Sequence, residues 1–261
     1  MFSVRSPRAV AHTLLAPGQL GLSRAYVSGE LDVDDIDDDV SNDFFALFLD
    51  DSMTYSCAVF EDPSADDEPL ESAQERKLEM VCAKLALRPG ERVLDVGCGW
   101  GSFAIHAATR HGAHVVGITL SEPQAALARE RADAAGVGDR VEIRVADYRE
   151  MHGEPFDAIA SIGWSSTSAP PSSTATPPMH LSRVLLALER AGFRGEHVEG
   201  FAEHYARTLA HWAANLDAGA AAGERLAGAE RMRVWRLYLR AARSGFETGF
   251  TSIYQVRCRR A

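Results

Sequence analysis

In the first two thirds of the chain, segments whose hydrophobic positions follow a strand pattern alternate with segments whose hydrophobic positions have helical spacing. Short β-branched runs predict strands at 92–96, 114–120, 141–145 and 156–162. Helical spacing of apolar and alanine positions predicts helices at 102–111 and 122–135. Strands that alternate with helices of about ten to fifteen residues are typical of βαβ units, so the sequence predicts an α/β fold with a mostly parallel sheet.

The last third of the chain has a different order of elements. The pattern predicts a helix at 181–191, a strand at 194–199, long helices at about 201–216 and 223–243, and a strand at 251–256. Two stretches fit neither period: 32–39 is mostly Asp, and 164–178 reads WSSTSAPPSSTATPP. We therefore expect a short N-terminal segment with an acidic linker (1–40) and one domain (41–261) interrupted by an irregular linker (164–178).

Composition narrows the class of protein. The 261 residues carry a net charge of −10, which argues against a nucleic-acid-binding protein. No apolar run approaches the ~20 residues of a membrane span, and residues 1–18 make a poor signal peptide. The cysteines are widely spaced and fit no zinc motif, so the sequence predicts no metal site: Cys57, Cys82, Cys98 and Cys258. Reduced thiols favour a cytoplasmic location.

The strongest local motif is the run VLDVGCGWG at 93–101, which predicts a strand, a glycine-rich turn and a helix N-terminus. Gly97, Gly99 and Gly101 allow a ligand to approach the backbone, and the helix offers free N–H groups. The GxGxG spacing differs from the GxGxxG of dinucleotide folds, and no Gly-Lys-Ser/Thr follows. Asp95 suits a cationic or hydroxyl-rich ligand better than a pyrophosphate.

The ends of the next two strands carry further candidate binding residues. The second strand ends in Thr119-Leu120-Ser121 without an acid, and Ser121 and Gln124 have the spacing of a capping box, so both residues could simply cap the helix. The third strand ends in Asp147-Tyr148. This pair could accept a hydrogen bond from an exocyclic amine and stack on a base, or it could only form a turn at the strand end.

Six spaced segments together resemble the cyclopropane-fatty-acyl-phospholipid synthase family, which includes the mycolic acid cyclopropane synthases. The segments are DVSNDFFALFLD, MTYSCAVF, LDVGCGWG, GITLSEPQ, ADYRE and HYARTLAHW. The resemblance implies a class I, Rossmann-like methyltransferase fold with S-adenosyl-L-methionine as co-substrate. It also implies methyl transfer to the cis double bond of unsaturated phospholipid acyl chains, with a bound bicarbonate that removes a proton so that the ring closes.

The same resemblance implies roles for individual residues. Cys57 and Tyr205 match the family's bicarbonate site and are the expected catalytic residues. The cofactor-binding positions are Tyr55, Ser56, Asp95, Gly97, Gly99, Gly101, Thr119, Leu120, Gln124, Asp147 and Tyr148. Read without the family, Cys57 is a small buried hydrophobe and Tyr205 a core aromatic on one face of a helix. His204 lies off that face, and we expect it at the surface.

The chain also departs from the family. The family's anion-binding glutamate after the fourth strand and its histidine on a later strand have no counterparts here. Its fifth strand and the preceding helix are absent, so strands four and seven either pair directly or the sheet is broken. The missing elements suggest an internal deletion. Two alternatives to an active synthase stay open: a remnant that binds cofactor or lipid without turnover, and a small-molecule methyltransferase.

The C-terminal segment 231–261 contrasts with the acidic chain. Glu247 is the only acidic residue in this segment, whereas its arginines are Arg231, Arg233, Arg236, Arg240, Arg243, Arg257, Arg259 and Arg260. Such a patch predicts either peripheral contact with anionic headgroups at the inner membrane face or an ordinary solvated helix face.

Overall fold

The computed structural model describes residues 2–4, 31–33, 40–65, 67–151, 153, 155–163 and 180–261. Its strands are β1 (Phe2–Val4), β2 (Leu31–Val33), β3 (Arg92–Val96), β4 (His114–Thr119), β5 (Val141–Val145), β6 (Ala158–Ala160), β7 (Phe193–Gly200) and β8 (Tyr254–Arg260). Its α-helices are α1 (Asn42–Ala46), α2 (Leu70–Leu85), α3 (Ser102–His111), α4 (Glu122–Ala134), α5 (Leu181–Arg190), α6 (Ala202–Ala218) and α7 (Ala220–Glu247).

Four of the described strands are parallel and form the central sheet in the order β5-β4-β3-β6. This arrangement confirms the predicted α/β fold, and β3, β5 and α3 have the bounds that the sequence pattern predicts. The fourth strand is shorter than predicted, because only Ala158–Ala160 pair with β3. An apolar core lies between the sheet and the helices, with Val93, Phe103 and Val115 among its buried side chains.

The last two strands form a separate sheet. Strands β7 and β8 pair antiparallel with each other, and neither joins the central sheet. Of the two arrangements expected for a missing fifth strand, the structure therefore has the broken sheet. Among the described strands β6 pairs with β3 alone, and the Ile159 side chain is 55% exposed, whereas the interior of such a sheet is normally covered.

A second core is rich in aromatic side chains and joins α1, α6 and α7. Phe44, Phe48, Trp212 and Trp235 are buried in it, with ring centroids of neighbouring pairs about 5.5–6.1 Å apart. Helix α7 bends at Gly228, whose φ of 83° and ψ of 155° lie outside the helical region. The bend divides one predicted helix into two segments with different directions.

Two expectations about irregular segments have different outcomes. The linker at 164–178 lies outside the described residues. The expectation that 32–39 holds no regular structure is wrong at its start, because Asp32 and Val33 belong to β2, which pairs with β1. The β-branched Val33 favours a strand, and pairing with β1 supplies its backbone with partners. No described helix combines the length and apolar character needed to cross a bilayer.

Candidate functional site

The glycine-rich turn lies at the carboxyl end of β3, where ligands bind in open parallel sheets. Gly97, Gly99 and Gly101 all have positive φ angles, of 77°, 54° and 80°. A Cβ at Gly97 or Gly99 would meet no atom within 4 Å, so these two glycines serve the backbone conformation and border open space. The amides of Gly97 and Cys98 both donate to the Ile118 carbonyl at 2.9 Å, which fixes the turn against β4.

Asp95 is a buried acid in β3, two residues before the first glycine of this turn. Its side chain is almost closed to solvent, and its Oδ2 has no hydrogen-bond partner among the described residues. Burial raises the pKa of the Asp95 carboxyl to about 7, and the positive charge of Lys77 opposes that rise. A buried carboxylate oxygen without a partner needs a donor, and a ligand with hydroxyl or amino groups in the adjacent open space would supply one.

A buried lysine, which the sequence reading missed, connects Asp95 with the segment 53–60. The Nζ atom of Lys77 donates to Ser56 Oγ at 2.9 Å, and the side chain is only 1% exposed. Burial lowers the pKa of Lys77 to about 8, while the nearby Cys57, Asp50 and Asp95 oppose that change. Spacing along the chain could not reveal this contact, because Lys77 and Ser56 are 21 positions apart and only the fold brings them together.

Gln74 also faces Ser56 from α2, one turn before Lys77. Its Nε2 donates to the carbonyl oxygens of Ser56 at 2.9 Å and Thr54 at 3.3 Å, and its side chain is fully buried. Gln74 and Lys77, on the buried face of α2, thus hold both the backbone and the hydroxyl of the segment that carries Tyr55, Ser56 and Cys57.

The residues predicted to bind the cofactor at the end of β4 differ in their contacts and exposure. Thr119 is buried, and its hydroxyl donates to Gln124 Oε1 at 2.9 Å. The Ser121 hydroxyl accepts from the Gln124 amide at 3.4 Å and caps α4. The Gln124 side chain therefore turns toward Thr119 instead of completing a capping box. Leu120 is 70% exposed at the same edge, with no buried packing role.

The end of β5 forms the turn that was one of the two alternatives for Asp147 and Tyr148. Asp147 Oδ1 accepts from the backbone amide of Arg149 at 2.8 Å and from its Nε at 2.9 Å. These contacts with Arg149 hold the pKa of Asp147 at about 2. Tyr148 is 54% exposed at the carboxyl edge of the sheet. A ligand hydrogen bond to Asp147 would have to share the carboxylate with Arg149.

Cys57 lies against the beginning of α6, which carries Tyr205. The Cys57 thiol donates to the carbonyl oxygens of Ala58 at 3.2 Å and Phe201 at 3.8 Å, and the Phe201 carbonyl also accepts from the Tyr205 amide at 2.9 Å. Burial raises the pKa of Cys57 to about 12, so the sulfur is a neutral thiol at pH 7. The structure thus brings the Cys57 side chain within one helical turn of Tyr205.

The two candidate tyrosines belong to the aromatic core. The Tyr55 ring lies 5.1 Å from the Trp212 ring, and the Tyr205 ring lies 6.0 Å from it, measured between centroids. Tyr205 also contacts Phe246 at 4.8 Å. Both tyrosines are partly buried, so the face of α6 predicted to be apolar does point inward.

The expectation that His204 is a surface residue is wrong. Its ring stacks on Phe60 with an interplanar angle of 6°, and its Nδ1 accepts from the Phe60 amide at 3.1 Å. Burial lowers the pKa of His204, in keeping with a neutral, hydrogen-bonded imidazole. Helical spacing placed His204 off the apolar face, but the segment 53–60 packs along the side of α6 and covers it.

Asn42 on α1 is another site residue that the sequence reading missed. Its Oδ1 accepts from Trp100 Nε1 at 2.8 Å, and its Nδ2 donates to the Pro123 carbonyl at 3.1 Å. One side chain therefore joins the glycine-rich turn to the start of α4. Only the fold brings these three segments together, so spacing along the chain could not reveal the contact.

The C-terminal arginines have more counterions than Glu247. Asp217 on α6 pairs with Arg236 and Arg240, at 2.9 and 2.5 Å. Glu196 on β7 pairs with two further arginines, Arg257 at 3.3 Å and Arg259 at 3.2 Å. Glu247 is the only acid within 231–261, and the fold adds acidic side chains from α6 and β7 beside these arginines.

The four-stranded parallel sheet, its flanking helices and the glycine-rich turn at its carboxyl edge define a class I methyltransferase fold. The profile of the family described as mycolic acid cyclopropane synthetase matches residues 31–167 and 176–256. The chain belongs to this family of S-adenosyl-L-methionine-dependent methyltransferases, as the resemblance predicted.

Individual relatives agree with this assignment. A probable fatty acid methyltransferase of Pseudomonas putida is 33% identical over 264 residues, covering 84% of this chain and 66% of the relative. One of Mycobacterium tuberculosis is 32% identical, with 84% and 60% covered. The cyclopropane-fatty-acyl-phospholipid synthase of Escherichia coli is 47% identical over 125 residues, which are 48% of this chain and 30% of that protein. The chain thus spans less than two thirds of these relatives' lengths.

Solved structures show the same fold. A mycolic acid cyclopropane synthase crystallised with SAH and CTAB superposes with a TM-score of 0.75 and 27% identity, covering 84% of this chain and 94% of that one. A coclaurine N-methyltransferase bound to N-methylheliamine and SAH gives a TM-score of 0.72 at 17% identity, covering 96% of this chain and 92% of that one. The latter identity supports the fold alone.

Proposed function

We propose that this protein transfers the methyl group of S-adenosyl-L-methionine to the cis double bond of an unsaturated phospholipid acyl chain, giving a cyclopropane or methyl-branched fatty acid. The observation that carries the proposal is the position of Cys57. This thiol lies at the start of the helix with Tyr205, and Lys77 connects the neighbouring Ser56 to the region of Asp95. The segment 53–60 therefore adjoins the glycine-rich turn.

The residues around the turn fit the proposed co-substrate. S-adenosyl-L-methionine combines hydroxyl and amino donors with a cationic sulfur, and the unpartnered Asp95 oxygen and the open space at Gly97 and Gly99 suit such a molecule. The Thr119–Gln124 pair, Leu120 and the Asp147-Tyr148 turn would complete the site at the ends of β4 and β5. When bound, the co-substrate supplies an electrophilic methyl group.

The aromatic core would help the reaction through its low polarity. An alkene is a weak nucleophile, so the reaction depends on alignment and on exclusion of water. Tyr55, Tyr205 and Trp212 would form an apolar wall, and their ring faces would stabilise positive charge that develops on the acyl chain.

Cys57 and Tyr205 would serve the late proton transfer, for which we propose bicarbonate as the acceptor. Because the Cys57 thiol is neutral at pH 7, its role would be to donate an S–H hydrogen bond, and no covalent step on the sulfur is needed. The Tyr205 hydroxyl is the second donor that we propose for this anion.

A second candidate is a catalytically impaired protein that binds co-substrate or lipid without turnover. Two observations favour it: among the described strands β6 pairs with β3 alone, and the family's anion-binding glutamate and histidine have no counterparts in the sequence. A small-molecule methyltransferase is less well supported, because it would need neither the segment 53–60 nor the aromatic helix α6.

One experiment separates these candidates. The full chain is expressed in a bacterial host that lacks its own cyclopropane synthase, methyl-labelled methionine is supplied, and fatty-acid methyl esters are analysed. Label in a cyclopropane or methyl-branched acid, lost in Asp95→Ala and retained in Cys258→Ser, supports the proposal. Absence of labelled lipid, with calorimetric binding of S-adenosyl-L-methionine to the purified protein, refutes turnover and supports the impaired protein.

We also propose peripheral contact with anionic lipid at the inner membrane face, through the C-terminal arginines. Their charge is partly offset by Asp217 and Glu196, so the attraction should be weaker than the ~1 kcal/mol per cation of an unpaired patch. Co-sedimentation with anionic and neutral vesicles measures it. Equal binding to both kinds of vesicle would exclude an electrostatic contribution.

A further inference from the structure

Four metal-ligating side chains converge where α2 and α3 pack together, on residues that the methyl-transfer proposal does not use. Glu79 and Cys82 come from α2, and His106 and His111 come from α3. The Nε2 atoms of both histidines lie 3.1 Å from the same oxygen, Oε2 of Glu79. Ligand atoms of Cys82, His106 and His111 all lie within 4.8 Å of one another.

These four side chains form a site that is enclosed on all but one side. Cys82 is fully buried at its base, and the side chains of His106 and His111 are 10% and 20% exposed. Glu79 is 52% exposed and closes the solvent side. A carboxylate only accepts hydrogen bonds, so each histidine Nε2 carries the hydrogen in its contact with Glu79, and these bonds lower the pKa of Glu79.

The donor set matches one class of metal. One thiolate, two imidazoles and one carboxylate are the ligands of zinc, which binds them in a tetrahedron at about 2.0–2.3 Å, so that ligand atoms lie roughly 3.3–3.6 Å apart. The ligand atoms of Cys82, His106 and His111 lie within 4.8 Å of one another, and Oε2 of Glu79 lies 3.1 Å from both imidazole Nε2 atoms, so the four side chains surround a space of the size that one zinc ion needs. Magnesium and calcium prefer oxygen ligands alone, which excludes them.

We propose that Glu79, Cys82, His106 and His111 bind one zinc ion. On binding, the Cys82 thiol releases its proton to solvent, and the hydrogen of each imidazole moves from Nε2 to Nδ1, so that both Nε2 lone pairs face the metal. The ion would link the second halves of α2 and α3. Because α2 carries Lys77 and α3 begins beside Gly101, it would stiffen two walls of the co-substrate site.

Spacing along the chain does not reveal this site. The two ligands on α2 are three residues apart and those on α3 are five apart, and neither pair alone has the form of a known zinc motif. Only the packing of α2 against α3 brings the pairs together.

Cobalt provides a direct test on the full chain. Protein stripped with a chelator is titrated with Co²⁺, which replaces zinc and gives visible absorption bands for tetrahedral coordination and a near-ultraviolet band for a bond to thiolate. We expect both bands to saturate at one equivalent. Because this band arises only from a bond between Co²⁺ and a thiolate sulfur, it reports coordination by a cysteine.

Substitutions assign the ligands. Cys82→Ser should remove the thiolate band, and His111→Ala should weaken Co²⁺ binding by roughly tenfold or more. Cys258→Ser and His114→Ala, which change the same residue types away from the cluster, should leave both bands intact. Circular dichroism checks folding, and if Cys82→Ser does not fold, His111→Ala at its partly exposed position decides. Absence of the bands in the unsubstituted protein, or equal Co²⁺ affinity in His111→Ala, overturns the proposal.

Discussion

The ammonium group of Lys77 donates a hydrogen bond to the hydroxyl of Ser56 over 2.9 Å, in a place almost closed to water. Ser56 lies between Tyr55 and Cys57, so this bond fixes the segment that carries both candidate side chains. A buried cation is costly, and it persists where its charge and hydrogen bonds are used. Here the charge acts on Cys57, Asp50 and Asp95 at once.

Replacing Lys77 should separate the effect of its charge and hydrogen bond from the effect of its packing. In Lys77→Met the side chain keeps its length and loses its charge, so the free energy of unfolding should change by less than about 2 kcal/mol. The affinity for S-adenosyl-L-methionine should fall by roughly tenfold, because Ser56 loses its donor and Asp95 loses its countercharge. Lys84→Met, on the same helix beside Glu199, is the matched control. Equal affinities of the two variants in calorimetry would contradict the prediction.

Asp95 should make the stability of the protein depend on pH. Its pKa is about 7 in the folded protein and 3.8 ordinarily, so between these values the folded state binds more protons than the unfolded state. Asp95 therefore stabilises the fold at low pH, and that contribution is lost as the pH rises through about 7. Asp95→Asn removes this dependence.

The measurement is urea denaturation of both proteins at pH 5 and pH 8, without co-substrate. When the pH rises from 5 to 8, the free energy of unfolding of Asp95→Asn should increase by about 1–3 kcal/mol relative to that of the unsubstituted protein. It should at the same time bind S-adenosyl-L-methionine more weakly, because an amide is a poorer acceptor for the ligand. A difference in stability that is the same at both pH values would mean that the Asp95 carboxyl is not buried as described.

The turn at Asp147 provides a test of one cofactor residue. If Asp147 accepts a hydrogen bond from the co-substrate, it competes with Arg149 for that carboxylate. Asp147→Ala should therefore weaken binding of S-adenosyl-L-methionine about tenfold, while Arg149→Ala should leave it unchanged or strengthen it. Calorimetry on both variants decides between ligand contact and turn formation. Similar weakening in both variants would show that the turn itself matters and that Asp147 has no direct contact.

Local signals were sufficient for much of the fold. The glycines of the turn and the spacing of Phe103 and Ala107 predicted β3 and α3 to the residue, because residue types near in the sequence mark where these elements begin and end. Ser121 was likewise predictable as a cap. Such features need only the residue types and their order.

Contacts between distant segments were not predictable in this way. Lys77 meets Ser56 across 21 positions, and His204 meets Phe60 across 144, so helical spacing alone placed His204 wrongly at the surface. The acidic partners of the C-terminal arginines were missed for the same reason. A residue's burial is set by whatever packs on it, and a helix pattern says only which side is apolar.

The exposed edge of the central sheet leads to the last prediction. Ile159 on β6 pairs in register with Leu94 and is 55% exposed, whereas Val93 on β3 is fully buried. Ile159→Thr should therefore change the free energy of unfolding by no more than about 0.5 kcal/mol. The matched substitution Val93→Thr puts a hydroxyl into the core and should cost about 1–3 kcal/mol. Urea denaturation measures both, and an equal cost would mean that another segment covers β6, so that the central sheet does not end there.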